Sequence, residues 1–168
     1  LQFPPNFFNG TIGYSRLNNY TYDYDFPATP NPHLIDDIIR NKTSSVLGVI
    51  SNCNSQSGRE SIIDRLQKHI NLTLRCLLSL SHSFQDIHIS ISETHRFIIA
   101  LENKDCPEYV TEKAYKYKKL IVPIVRDCRL VGDSLPSDAF IAIDDFEHTS
   151  ELANYLKRLQ RNDDEYKK

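Results

Sequence analysis

The sequence has no methionine and no tryptophan, only five glycines, and a net charge of −2 over 168 residues. Methionine is missing even from position 1, so the chain reads as a piece of a longer protein. No apolar run reaches the roughly 18 residues that a membrane span needs. No leader with a basic start, an apolar middle and a small-residue cleavage site opens the chain either. An anchor upstream remains compatible with both observations. The near-neutral charge supplies no basic field of the kind that attracts nucleic acid. The one local cluster of cations, Lys113, Lys116, Lys118 and Lys119, reads as a solvated helix face. Neither a G-x-G-x-x-G turn nor a lysine-bearing phosphate loop occurs, so the common dinucleotide and triphosphate fingerprints are absent.

Cysteine is sparse as well. Cys53, Cys76, Cys106 and Cys128 are too widely spaced for the close pairs of a zinc site. Zero, one or two disulfides all remain open. His33, His82, His88 and His95 have no ligand spacing, and no metal motif is visible. Asp144 and Asp145 follow a short strand and read better as a turn than as a metal site. What is present is an ordinary globular composition, 40% hydrophobic and 25% charged, sufficient for one domain with a core. Four Asn-x-Thr sequons, at Asn9, Asn19, Asn41 and Asn71, point to a glycosylated, lumenal protein. Asn71 is expected to be the least accessible of them, because it opens an apolar strand.

Residues 1–33, with Pro27, Pro30 and Pro32, read as an irregular segment ending in a linker. Leu34, Ile35, Ile38 and Ile39 then recur at helical spacing. Further on, short apolar runs alternate with helical patterns. Strands are expected at Ser44–Ser51, Leu72–Leu78, Arg96–Leu101, Leu120–Val125 and Ala139–Ile143, with a further short one at Ile87–Ile91. Ser57 and Glu60 have the spacing of a capping box ahead of Ile62, Leu66 and Ile70. A helix is expected over Val110–Lys118, capped by Thr111, and a last one, capped by Thr149, buries Leu152, Leu156 and Leu159. Pro123 argues for an edge position or an irregularity in its strand. This alternation predicts an α/β fold with a parallel sheet and flanking helices, and ligands in such sheets sit beyond the carboxyl ends of the strands. The loops after Ser51, Leu101 and Val125 are therefore the places to look.

Arg59 falls in the first turn of a helix just past the first strand, where a guanidinium can grip a phosphate in two-pronged fashion or pair with Glu60 or Asp64. The third strand runs into ENKDCPEYVTEK, the densest polar stretch of the chain. Lys113 lies in a first helical turn, which opposes the helix dipole unless an anion is close by. A bound diphosphate would supply that anion, and simple solvation is the plainer reading. Glu112 there pairs favourably with the positive helix end, and Tyr109 reads first as a packing residue.

The stretch FIIALENKDCPEYVTEK resembles the signature of the α-1,3-fucosyltransferases, glycosyltransferase family 10, in which a strand leads to F-E-N and then to Y-[IV]-T-E-K. VPIV, FIAIDDF, LANYLKRL and NDDEYKK resemble later parts of that pattern in order, and VISN with Arg59 and FFNGTIGYSR resemble earlier ones. The likeness spans nearly the whole chain. Departures are Leu101 in place of the family phenylalanine, Gly10 in place of its tryptophan, and LTLRCLLSLSH where a glycine- and tyrosine-rich stretch is usual.

The resemblance implies a Rossmann-like parallel sheet forming the C-terminal half of a GT-B type glycosyltransferase. Residues 1–33 would be the remnant of the acceptor-side domain and a linker, and residues 34–168 the donor-binding domain, slightly truncated at its end. The implied donor is GDP-fucose and the implied acceptor a glycan or glycoprotein. Arg59 and Lys113 would neutralise the diphosphate, as the catalytic cations. Glu112 would hold the ribose, Asn103 and Tyr109 would contact the diphosphate and fucose, and Glu102 and Thr111 would shape the loop. The general base would come from the missing domain, which would leave this chain inactive alone. The implied setting is the Golgi lumen, on a single-pass membrane protein. No tightly bound cofactor is implied, and a manganese requirement stays open. The other readings are a non-catalytic nucleotide-sugar-binding module and an unrelated Rossmann-like nucleotide-binding domain.

Overall fold

The computed structural model describes residues 31–52, 54–76, 93–115 and 120–168, together with residues 4, 7, 10, 12, 13, 20 and 21. Its elements are α1 (Pro32–Asn41), β1 (Ser44–Ile50), α2 (Arg59–Gln67), β2 (Leu72–Cys76), β3 (His95–Ile99), α3 (Glu112–Tyr115), β4 (Val122–Val125), α4 (Cys128–Val131), β5 (Ile141–Ala142), α5 (Thr149–Arg161) and α6 (Asp163–Tyr166). A separate pair of two-residue strands joins Ile12–Gly13 to Tyr20–Thr21. The strand expected at Ile87–Ile91 and the lysines 116, 118 and 119 lie outside the described residues.

The five strands form one parallel sheet in the order β2-β1-β3-β4-β5. The chain moves outward from β1 to β2 and then returns to the other side of β1. The loops leaving β1 and β3 therefore leave the sheet at its topological switch point, and the crevice that the described residues line lies beside it, between the loops after β3 and β4. Val46 pairs with Leu72 on one flank and Phe97 on the other, and Ile124 pairs with Ile141. Neighbours on a strand point to opposite faces, and adjacent Val46 and Leu47 are both fully buried, so β1 is covered on both sides. One face packs against α2 and α5 through Ile62, Ile63, Leu66, Leu152, Leu156 and Leu159. Each such side chain contributes about 1.5–3 kcal/mol of burial. Beyond the strand ends, Ala100, Val110, Tyr115, Val125, Val131 and Leu135 form a second cluster under the crevice.

Several local expectations are corrected. Pro32 does not bar a helix but opens one: it occupies the first turn of α1, where its missing N–H costs nothing, and the Asn31 side chain accepts the N–H of His33. Pro123 lies in an interior strand rather than at an edge. It tolerates that place because pairing with β5 begins only at Ile124↔Ile141, so the flank without an N–H has no ladder partner. The N-cap of α5 is His148, one residue before Thr149, and the Glu151 carboxylate accepts the N–H groups of Glu147 and His148. Asp144 and Asp145 do form a turn, a short 3-10 segment at Ile143–Asp145.

Helix α6 escaped the sequence reading. Its Tyr166 is buried, its hydroxyl donates to the carbonyl of Arg96 at 2.6 Å and also faces that of Leu120, and the Arg96 guanidinium lies 5.0 Å from its ring centroid. Arg96 also reaches the Lys42 carbonyl at 3.2 Å and Asp163 Oδ1 at 2.7 Å. This polar floor closes the amino end of the sheet, away from the crevice. Asn41 and Asn71 lie at that same end and both are exposed. Asn71 stands just before the edge strand β2, whose first residue, Leu72, is buried. Asn9 and Asn19 lie outside the described residues.

Candidate functional site

Gly58, at φ +63, turns the loop after β1 into α2. A side chain would be strained in that conformation. The turn places Arg59 beneath the start of the loop after β3, with its side chain only 2% exposed. Nη1 donates to the Leu101 carbonyl at 2.9 Å and Nη2 to the Asn52 carbonyl at 2.8 Å, while Nε has no hydrogen-bond partner and lies 3.6 Å from Glu60 Oε1. The guanidinium thus ties the end of β3 to the loop after β1. Its two terminal nitrogens face backbone carbonyls, where the sequence reading has them facing phosphate.

Ser57 makes a second tie across the same gap. Its N–H donates to the Asn103 carbonyl at 3.0 Å and its hydroxyl to the Glu102 carbonyl at 2.7 Å. The expected capping box between Ser57 and Glu60 does not form. The Glu60 carboxylate instead accepts the N–H and the hydroxyl of Ser55, at 3.1 and 2.8 Å, because Gly58 rather than Ser57 occupies the cap position.

Glu102 closes the loop that follows β3. Its Oε1 accepts the Thr111 N–H at 2.9 Å and the Thr111 hydroxyl at 2.7 Å, and its Oε2 pairs with the ammonium of Lys113. Lys113 also donates to Thr111 Oγ1 at 2.9 Å. The anion that a lysine at a helix start calls for is therefore present within the chain, in Glu102. Glu112 is exposed beside this clasp. Tyr109 is half-buried and lines the crevice. Asn103 Oδ1 is buried without a hydrogen-bond partner, a state that buried amides rarely keep unless a ligand or water completes them. Glu102, Asn103, Tyr109, Thr111, Glu112 and Lys113 are thus held on one closed loop, with Arg59 below it.

Two residues that the sequence reading passed over belong to the same place. Arg126 is the first residue past β4, and Asp105 lies midway along the loop after β3. Arg126 Nη1 donates to the Ser57 carbonyl at 3.2 Å, and its Nη2 stands 3.7 Å from Asp105 Oδ2. The end of Val125 was a signal for Arg126, since that loop was already among those facing the crevice. Next to it, Asp127 accepts the N–H of Arg129 at 2.8 Å and pairs with its guanidinium. The side-chain pairing with Arg129, then the backbone N–H, holds the Asp127 carboxyl down to about 2. Among the described residues no group of His, Cys, Asp and Glu is placed to hold a metal ion, and Cys106 and Cys128 are free.

A parallel sheet of order 2-1-3-4-5 with its polar loops gathered at the topological switch point defines a Rossmann-like α/β domain, consistent with the C-terminal half of a GT-B glycosyltransferase. Residues 39–168 match glycosyltransferase family 10 (fucosyltransferase) C-term, and the chain belongs to that family. It is similar to alpha-(1,3)-fucosyltransferase fut-1 of Caenorhabditis elegans, 28% identical over 179 residues covering 99% of this chain and 41% of that protein. It is also similar to glycoprotein 3-alpha-L-fucosyltransferase A of Drosophila melanogaster, 31% identical over 75% of this chain and 27% of that protein. A third relative, GDP-fucose protein O-fucosyltransferase 3 of Gallus gallus, is 32% identical over 80% of this chain and 31% of that protein. The chain spans less than half the length of these relatives.

Proposed function

We propose that this chain is the donor-binding part of an α-1,3-fucosyltransferase. It would transfer L-fucose from GDP-fucose, with inversion, to an N-acetylglucosamine-type hydroxyl of a glycan. The observation that carries the reading is the Glu102–Thr111–Lys113 clasp at the switch-point crevice, set on the motif that the family shares. As the glycosidic bond breaks, negative charge grows on the departing GDP, and a fixed cation beside the diphosphate stabilises that state. Lys113 is that cation, held in place by Glu102. Arg59 adds a buried positive charge and fixes the loops around it. Glu112, exposed beside the clasp, is the ribose ligand, and Asn103 and Tyr109 meet the diphosphate and the fucose.

The attacking hydroxyl needs a carboxylate base within hydrogen-bond reach. In this reading the base belongs to an acceptor-side domain whose last part is residues 1–33, so residues 34–168 bind donor without turning it over. Sequons at exposed Asn41 and Asn71, at the end of the sheet away from the crevice, support a lumenal, Golgi setting for a membrane-anchored protein. Among the described residues no helix is long and apolar enough to cross a membrane. A second reading, transfer to a hydroxyl of a protein chain, is favoured by the 32% identity to a GDP-fucose protein O-fucosyltransferase. The test is calorimetric titration of GDP, GDP-fucose and ADP into the full-length protein and its Lys113→Ala variant. Guanosine-selective binding that weakens in the variant supports the donor site. Absence of GDP binding by a folded protein overturns it. Transfer assays on free glycans against folded protein acceptors then separate the two acceptor readings.

A further inference from the structure

The crevice beside Tyr109 is open to solvent, and its lining divides into two kinds of surface. One wall is aliphatic: Val110, Val125, Leu130 and Val131. The other carries Lys104, Asp105 and Arg126. Asp105 and Arg126 are about one-third exposed, and at 3.7 Å they are too far apart to hydrogen-bond each other well. The remaining carboxylates of the lining are engaged, Glu102 with Thr111 and Lys113, and Asp127 with Arg129. Arg126 has five side-chain N–H donors and, among the described residues, a single side-chain hydrogen bond, at 3.2 Å, to the Ser57 carbonyl.

The chemistry of such a lining selects its ligand. A diphosphate would face Glu102, Asp105 and Asp127 as well as Lys104 and Arg126, so the lining offers no excess of positive charge to hold it. A planar base calls for stacking surface, and among the described residues Tyr109 is the single aromatic one of this lining. A neutral ligand with hydroxyls on one side and an apolar group on the other meets both walls, because a hydroxyl donates to a carboxylate and accepts from a guanidinium. Glu102 belongs both to this lining and to the clasp that holds Lys113. A ligand with an anionic centre near Lys113 therefore continues into the crevice with its next, neutral portion.

We infer that Asp105 and Arg126 form a sugar-reading pair. They hold ring hydroxyls of a deoxyhexose while Val110, Val125 and Leu130 take its methyl group. The inference rests on the donor reading proposed above, and it assigns sugar selectivity to residues that the family motif does not include.

The test compares Arg126→Gln and Asp105→Asn with the unaltered full-length protein, by titration of GDP, GDP-fucose and the GDP-sugar that carries a hydroxymethyl in place of the fucose methyl. GDP alone reports the nucleotide site, so GDP binding by the unaltered protein tests the donor reading by itself. The expected result is a rise of about tenfold in Kd for GDP-fucose in each variant, the size expected for losing a hydrogen bond to a charged group. The Kd for GDP should stay within about twofold. The hydroxymethyl donor should bind the unaltered protein more weakly than GDP-fucose. An equal loss for GDP and GDP-fucose would mean that the pair reads the nucleotide or merely props the loops, and it would overturn the inference. So would unchanged affinity for both ligands. If the unaltered protein binds no GDP, the donor reading fails and this inference falls with it.

Discussion

The ammonium of Lys113 is paired with the carboxylate of Glu102, and the other oxygen of that carboxylate accepts both the N–H and the hydroxyl of Thr111. One side chain therefore does two jobs: it closes the loop after β3 and fixes the position of the Lys113 ammonium. A lysine held this way loses little rotamer freedom when an anion arrives, and preorganised charge is what a growing leaving-group charge needs.

Glu102→Gln separates the two jobs. The amide oxygen can still accept from Thr111, while the charge pairing with Lys113 is lost. Stability should fall by about 1 kcal/mol, which lowers the thermal midpoint by about 2–4 °C in a protein of this size. Lys113→Ala removes the cation and leaves Glu102 unpaired with its side chain 11% exposed. Its stability loss should be larger, about 1–3 kcal/mol, and GDP affinity should fall at least tenfold. Calorimetric scans with GDP titrations check both; equal GDP affinity in wild type and Lys113→Ala would remove Lys113 from the site.

Much of this was legible in the residues themselves. The short β-branched runs gave the strands of the sheet because buried parallel strands have a near-continuous apolar pattern, as at Val46, Leu47 and Ile50. The loop carrying Glu102 to Lys113 was legible because its polar density stands directly at a strand end. Other features were hidden for definite reasons. The internal carboxylate partner of Lys113 lies eleven residues back along the chain, and only loop closure brings it near. Arg59 looked like a surface or phosphate-binding arginine, since nothing local reveals that two distant carbonyls converge on it. The interior place of Pro123 depended on how short β5 is, and α6 depended on Tyr166 finding the carbonyl of Arg96, seventy residues away.

Arg59 gives the sharpest separation of clasp from phosphate ligand. Arg59→Lys keeps the charge but loses the planar fork that spans the Leu101 and Asn52 carbonyls. It should destabilise the protein by about 1–3 kcal/mol, the cost of leaving a buried acceptor unsatisfied. Arg59→Met, which orphans both carbonyls, should cost about 2–4 kcal/mol. Urea unfolding measures both. A lysine variant as stable as wild type would show that the two carbonyl contacts contribute little.

Acid stability has an identifiable component at Asp127, whose carboxyl is held at about 2 against an ordinary 3.8 by Arg129. A depressed carboxyl stabilises the fold when ionised, so its contribution is complete above about pH 4. It is lost as the pH falls from there towards 2. Asp127→Asn can keep the cap on Arg129 N–H but has no such titration. The wild type should therefore have the higher thermal midpoint at pH 6, and the two should converge as the pH approaches 2. A constant difference over that range would exclude Asp127 as a source of the acid dependence.

Tyr166 makes the opposite prediction at the alkaline end. Burial pushes its phenol well above the ordinary 10.0. The hydroxyl therefore stays protonated in the folded chain while the unfolded chain ionises. Stability linked to this group is complete below pH 10 and declines as the pH rises past it. Tyr166→Phe removes the bond to the Arg96 carbonyl but keeps the edge-on ring contact with Phe97 at 5.7 Å. At pH 7 the variant should be about 1–2 kcal/mol less stable, from one lost buried hydrogen bond, with the urea dependence of unfolding unchanged. Above pH 10 the gap should narrow, because the variant has no phenol to ionise in its unfolded state. Tyr166→Ala, which also empties the ring site, should cost about 3–5 kcal/mol. If Tyr166→Phe matched the wild type at pH 7, the hydroxyl would contribute nothing to holding α6. A gap that failed to narrow above pH 10 would locate the alkaline loss in another tyrosine.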